Sequence, residues 1–179
     1  YIEDKLGQLL ETSPAPVALH AAVGYPTKAW PLDRFAALAD HIHREFELPV
    51  LLTWGPGDRD QAETIGKLMQ EPYTLAPETT TFQQALALYK RLRLFISGDT
   101  GPLHLCAAMG VPTVSIYGPT DPARNGPYGS RHEVVVKPQA CSFCFKRSCP
   151  TSLECMDAVK VDDVMEAVRH RMQAMANTT

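Results

Sequence analysis

Four short apolar runs constrain this chain more than any other feature: "VALHA" (17–21), "LPVLLTW" (48–54), "LFISG" (94–98) and "TVSIYG" (113–118). Each carries almost no polar residue, and each is followed by a turn rich in Gly, Pro, Asp or Thr. A strand with no polar face must be covered on both sides, which is the condition of a parallel sheet between helix layers. The segments between the runs have helical spacing. "PLDRFAALADHIHREF" (31–46) puts Phe35, Leu38, Ala39, Ile42 and Phe46 on one stripe, with Pro31 at its start, where a missing N–H costs little. Residues 59–70, "TTFQQALALYKRL" (80–92) and "GPLHLCAAMG" are read as further helices, and threonines stand ready to cap the second. "YTLAP" (73–77) and "HEVVVKP" (132–138) add strands. "VDDVMEAVRHRMQAM" (161–175) closes the chain with Val161, Val164, Met165, Val168 and Met172 on one face. Strict alternation of strand and helix predicts an α/β fold with a doubly wound parallel sheet.

At 179 residues the chain has room for one domain with a full core. Residues 1–15 read as a lead-in helix or linker and 16–179 as the domain. The first residue is Tyr1, so an upstream portion is expected. A net charge of −3 provides no general attraction to nucleic acid or to an anionic membrane. No apolar run approaches bilayer length and no signal-peptide layout is present. The expected location is therefore cytoplasmic, peripheral to a membrane at most.

Ligands of such sheets bind beyond the carboxyl ends of the strands, so the exit turns hold the candidates. In "SGDTGPLHL", Gly98 and Gly101 allow a sharp turn and a close ligand. Pro102 at the first helical position makes Gly101 the expected N-cap, with the amides of Gly101, Leu103 and His104 facing outward. Such an end binds phosphate, and Thr100 adds a hydroxyl. Asp99 repels phosphate and suits sugar hydroxyls better; His104 can meet either part. Taken alone, Asp99 and Thr100 simply cap a helix and His104 is a surface histidine. Lys28, in "GYPTKAWP", is a mobile cation at the exit of the first strand, suited to a diphosphate. Trp30 is expected to anchor the core beneath it. Asp58, after "WGPG", can bond ribose hydroxyls or cap the next helix. "GPTDP" (118–122) is one more rigid turn on the same edge.

Neither G-x-G-x-x-G nor a P-loop motif is completed, which argues against a dinucleotide oxidoreductase or a P-loop NTPase. The set "KAWP", "WGPGD", "LAPETTTF" and "DTGPLHLCAAMGVPTVSIYGPTDP" instead resembles the C-terminal half of the ADP-heptose:lipopolysaccharide heptosyltransferases, glycosyltransferase family 9. The resemblance runs from about 16 to 175. It implies a Rossmann-like domain, one of the two that form a GT-B enzyme, holding the nucleotide-sugar donor. By position, Lys28 would neutralise the donor diphosphate and stabilise the leaving group. Thr100 and Gly101 would bind phosphate, while Asp99 and His104 would lie by the diphosphate and heptose. Asp58 would bond the ribose, and Thr79 and Thr80 would lie by the adenine. The implied reaction moves heptose from ADP-L-glycero-β-D-manno-heptose to the lipopolysaccharide inner core with inversion. The acceptor site and catalytic base would belong to an N-terminal domain, so this chain alone is expected to be inactive. No cofactor is expected. Another GT-B nucleotide-sugar enzyme, an epimerase or a different transferase, is the alternative.

Five cysteines remain to be placed. Cys106 reads as a small core residue. Cys141, Cys144, Cys149 and Cys155 follow C-x2-C-x4-C-x5-C. Without a secretory signal a reducing compartment is expected, so no disulfide is assigned. Four thiols suffice for a structural zinc, yet the spacing is not that of a zinc finger or ribbon, and no metal is assigned. Free thiols in an irregular loop are the competing reading. A metal-stabilised module binding nucleic acid through Lys146 and Arg147 is disfavoured by the lack of a basic excess.

Overall fold

A computed structural model describes residues 14–150 and 152–177. Most of the 1–15 lead-in therefore lies outside the described residues. Six strands form one parallel sheet: β1 (Val17–His20), β2 (Val50–Leu52), β3 (Thr74–Leu75), β4 (Leu94–Gly98), β5 (Thr113–Tyr117) and β6 (His132–Val136). Their order is β3-β2-β1-β4-β5-β6. This is the doubly wound order, in which the chain starts at the centre, winds out to one edge, then returns and winds to the other. The centre is β1 paired with β4, with Val17 opposite Leu94 and His20 opposite Ser97.

Alternation along the central strands explains the two helical layers. Val17, Leu19, Leu94 and Ile96 point to one face, where they meet Phe35, Leu38 and Ile42 of α1 (Leu32–Phe46) and Ile65 of α2 (Arg59–Leu68). Val164, Met165 and Val168 of the C-terminal helix Val161–Ala176 complete that core. Ala18, Leu51 and Phe95 point the other way, onto Leu88 and Tyr89 of α3 (Phe82–Tyr89) and Leu103 and Cys106 of α4 (Gly101–Ala108). The expected stripes on α1 and the C-terminal helix are the buried faces, with Phe46 and Val161 at their margins. Cys106 is buried in the second layer as expected.

The ends moved slightly. Helix 80–92 contracts to Phe82–Tyr89 because Thr81 and Gln84 form a reciprocal capping box that fixes the start. Strand 73–77 contracts to Thr74–Leu75 because only those residues pair with β2. Two short helices lie outside the sequence reading, α5 (Pro122–Asn125) and α6 (Glu154–Asp157); the C-terminal helix is thus α7. The segment before α7 is tied to α1 and to the turn before it, on the same face of the sheet. Trp30 Nε1 donates to Val159 O at 3.0 Å and Arg34 Nη1 to the same oxygen at 2.8 Å. Arg169 forks onto Glu45, with both contacts at 2.7 Å. Among the described residues no helix is long and apolar enough to cross a membrane.

Candidate functional site

In a doubly wound sheet the crevice opens where the winding reverses, between the exits of the two central strands. Here those exits carry Lys28, on a 3-10 turn after β1 (Pro26–Lys28), and Asp99, directly after β4. Lys28 Nζ lies 2.8 Å from Asp99 Oδ2, with side chains 14% and 5% exposed. The same ammonium donates to the Asp99 backbone oxygen at 3.2 Å. The close approach of the two exits depends on Gly98. A Cβ there would sit 3.1 Å from Val23 Cγ1 and 3.4 Å from the Lys28 carbonyl oxygen.

Asp99 is shared. Its Oδ1 faces His104 Nε2 at 3.4 Å, a long contact from one turn into α4. Burial is the largest influence on this carboxyl and pushes its pKa up. The Lys28 hydrogen bond and charge, with help from Thr120 and His104, outweigh it and hold the group below the usual carboxylate range. Thr120 comes from the β5 exit and is 3% exposed. Its hydroxyl lies near enough to favour the charged carboxylate, yet Thr120 Oγ1 is a buried polar atom that completes no hydrogen bond of its own. In the sequence, "GPTDP" reads only as a rigid turn; Asp and Thr in a turn leaving a buried strand are the available signal.

The helix after β4 begins one residue earlier than expected. Thr100 is the N-cap, in extended backbone at φ −145 and ψ 159, and Gly101 is the first helical residue. Pro102 takes the second position, which equally leaves no donor to waste. The outward amides are those of Gly101 and Leu103, while His104 N–H is the first that can bond within the helix. Thr100 makes no side-chain cap bond, and Asp99 is engaged with Lys28. The capping role available to both residues in the sequence is therefore taken by neither.

Asp58 stands at the N-cap of α2, also without a side-chain cap bond. It belongs to the β2 exit, one strand from Lys28. Thr79 and Thr80 belong to the β3 exit, one strand further. Thr80 is bound to Gln84 Oε1 through its amide at 2.8 Å and its hydroxyl at 3.1 Å, while Thr81 supplies the cap. The structure therefore brings Lys28, Asp99, Thr100, Gly101 and His104 together. Asp58 and the threonines lie along the same edge without touching that cluster. From β4 across β1 and β2 to β3 there are three strand spacings, roughly 14 Å.

Arg147, from the cysteine-rich segment, sits beside this cluster. Its guanidinium lies 4.5 Å from the Tyr25 ring centroid and Nη2 donates to Tyr25 Oη at 3.3 Å. Lys28 Nζ lies 4.8 Å from the centroid of the same ring. One aromatic ring thus gathers two cations at the mouth of the crevice.

The model of the family described as "Glycosyltransferase family 9 (heptosyltransferase)" matches residues 3–154. Lipopolysaccharide heptosyltransferase 1 of Pseudomonas aeruginosa is 33% identical over 146 residues, covering 79% of this chain and 40% of that protein. Lipopolysaccharide heptosyltransferase 3 of Escherichia coli is 35% identical over 99 residues, covering 52% of this chain and 28% of that protein. Among solved structures, a glycosyl transferase family 9 protein from Veillonella parvula superposes with a TM-score of 0.81 at 22% identity, over 95% of this chain and 51% of that one. The E. coli ADP-heptose lps heptosyltransferase II superposes at 0.79 and 19% identity, over 97% and 51%. The chain therefore spans about half or less of the length of these relatives, and the structures share its fold.

Proposed function

The chain belongs to glycosyltransferase family 9, and from that premise we propose that it is the donor-binding half of an inverting heptosyltransferase. Its substrate would be ADP-L-glycero-β-D-manno-heptose and its acceptor a sugar of the lipopolysaccharide inner core. The observation that carries this reading is the order of side chains along the sheet edge. Thr79 and Thr80 at β3, Asp58 at β2, Lys28 at β1 and the Asp99–His104 turn at β4 follow the order base, ribose, diphosphate, sugar. Asp58 at a bare N-cap position is free to accept from ribose hydroxyls. Lys28 and the outward amides of Gly101 and Leu103 supply positive charge where a diphosphate leaves, the term that most lowers the barrier to loss of such a group. Asp99 holds Lys28 and His104 in place, and the unpartnered Thr120 hydroxyl is left for the sugar end.

In this reading the acceptor hydroxyl attacks the anomeric carbon while ADP departs, and its proton goes to a base on the acceptor half. The chain would work in the cytoplasm, at the inner face of the bacterial inner membrane, with contact to the membrane made through the acceptor. A thermal-shift panel tests the donor class: ADP should raise Tm more than UDP at equal concentration, and Lys28→Ala should remove most of that gain. A larger shift with UDP would favour another GT-B nucleotide-sugar enzyme. Heptosyl transfer by the 179-residue chain alone, given donor and lipid acceptor, would refute the division of labour.

A further inference from the structure

The donor site built by the strand exits is short of positive charge. Lys28 brings a full charge, but the Asp99 carboxylate 2.8 Å from its ammonium cancels it. What remains is the end of one helix, equivalent to about half a charge. A departing nucleoside diphosphate carries several negative charges. A further cation stands at the mouth of this crevice, the exposed Arg147. Among the described residues it is paired with no carboxylate, and its partner is Tyr25.

The backbone that carries Arg147 is fixed to both sides of the crevice. Thr27, 4% exposed, donates from Oγ1 to Lys146 O at 2.7 Å, which ties the residue before Arg147 to the residue before Lys28. Phe145 N–H donates to Pro119 O at 2.9 Å, which ties the same segment to the β5 exit beside Thr120. The chain reaches these anchors through left-handed backbone at Phe143 and Phe145, with φ of 64° and 55°. Bulky residues keep that conformation only where their surroundings impose it. Just past the anchors, the Arg147 guanidinium and the Lys28 ammonium share the ring of Tyr25, at 4.5 Å and 4.8 Å from its centroid. The two charges are therefore no farther apart than the sum of those distances. A diphosphate that accepts a hydrogen bond at each end bridges such a span.

We propose that Arg147 is a second cation for the donor diphosphate, brought to the crevice by the cysteine-rich segment and aimed by Tyr25. This rests on the reading of the chain as a donor-binding half. The planar guanidinium matches two oxygens of one phosphate, while Lys28 stays with Asp99 and meets the other. Tyr25 holds the arginine without neutralising it, because attraction to a ring leaves the charge in place where a carboxylate would cancel it. Lys28, Asp99 and Arg147 together then carry one net positive charge, which adds to the helix end at Gly101. The site so built favours a diphosphate over a monophosphate. As the leaving group gains charge, donors already in place lower the barrier to its departure.

Isothermal titration of ADP and of AMP into the 179-residue chain tests this, with Arg147→Gln, Arg147→Lys and Tyr25→Leu beside the wild type. Arg147→Gln should weaken ADP about tenfold, the loss of one charged hydrogen-bonding contact, and AMP by no more than about twofold. Arg147→Lys, which keeps the charge without the fork, should recover part of the ADP loss. Tyr25→Leu, which keeps the arginine but removes its seat, should resemble Arg147→Gln. Lys67→Gln, in the last turn of α2 and away from the strand exits, removes the same charge and should leave both affinities unchanged. Because Arg147 is exposed, its variants should keep Tm within about 2 °C of the wild type. ADP affinity unchanged in Arg147→Gln would overturn the proposal and leave the donor reading standing. Equal losses for ADP and AMP together with a lower Tm would also overturn it, since Arg147 would then only brace the loop. A wild-type chain that binds neither nucleotide would overturn the donor reading and this proposal with it.

Discussion

Replacing Lys28 with methionine should cost more stability than an ion pair at the protein surface could account for. Asp99 would keep its carboxylate, 5% exposed, with only the Thr120 hydroxyl and His104, at 3.4 Å, to favour its charge. Breaking one partner out of a buried pair costs about 3–5 kcal/mol, whereas an exposed pair contributes about 0–1. Lys28 retains 14% exposure, so the lower end, about 3 kcal/mol, is expected, or a Tm lower by roughly 6–12 °C for a chain of this size. The loss should depend on pH. The native carboxyl has a depressed pKa, so its contribution is present above the unfolded value and lost as pH falls through the folded one. Without Lys28, burial is no longer outweighed and the carboxyl titrates higher. The gap between wild type and variant should therefore shrink as pH falls through that raised value, and vanish below the native one. The assay is urea unfolding followed by circular dichroism at pH 7 and pH 4, for Lys28→Met, Asp99→Asn and both together. The double variant should recover much of the loss, since Asn at 99 leaves no buried charge without its partner. A coupling below about 0.5 kcal/mol at pH 7 would refute the view of a desolvated pair and place it with screened surface contacts.

His20, 2% exposed at the end of β1, has its pKa lowered to about 4 by burial. Its neutral form is the folded one, so stability is full above the unfolded value of 6.5 and should fall by roughly 3 kcal/mol as pH drops to 4. A His20→Gln variant should flatten that slope in equilibrium unfolding. Gly98→Ala should push the β1 exit loop away from β4, costing about 1 kcal/mol of stability. It should weaken ADP binding by isothermal titration further than that loss explains. Two N-caps give a matched contrast. Thr81→Ala breaks the capping box and should cost about 1 kcal/mol without changing ADP affinity. Asp58→Ala breaks no cap and should leave Tm nearly unchanged while weakening ADP about tenfold. Equal effects of the two on ADP would remove Asp58 from the ribose site.

The sheet was legible because its central strands have no polar face, and because α1 and α7 carry their apolar residues at one spacing. The edge strand β3 was overestimated because the edge has one partner, and pairing sets its length. The β4 turn shows the limit of local rules. Pro102 is compatible with the first or second helical position, and only the observed Thr100 backbone decides between them. Lys28 and Asp99 were both nominated, but the contact between them was not, because 70 intervening residues hide the adjacency of β1 and β4 from any local pattern. Thr120 and Arg147 were missed for the same reason: each matters through a neighbour distant in sequence. The cysteine spacing matched no known finger or ribbon, and spacing alone does not place that segment beside Tyr25.

The meeting of β1 with β4 has a kinetic side. Residues 17–75 supply β3, β2 and β1, and residues 94–136 supply β4, β5 and β6. Within the sheet the two halves join along one seam, Val17–His20 against Leu94–Ser97. Each half can pair its own strands through nearby partners, but the seam must first close a long loop, whose entropy is spent before any contact repays it. Lys28 and Asp99 meet only after that closure. The crevice is therefore born late in folding, and a nucleotide that fits it acts on the one junction that local structure cannot secure.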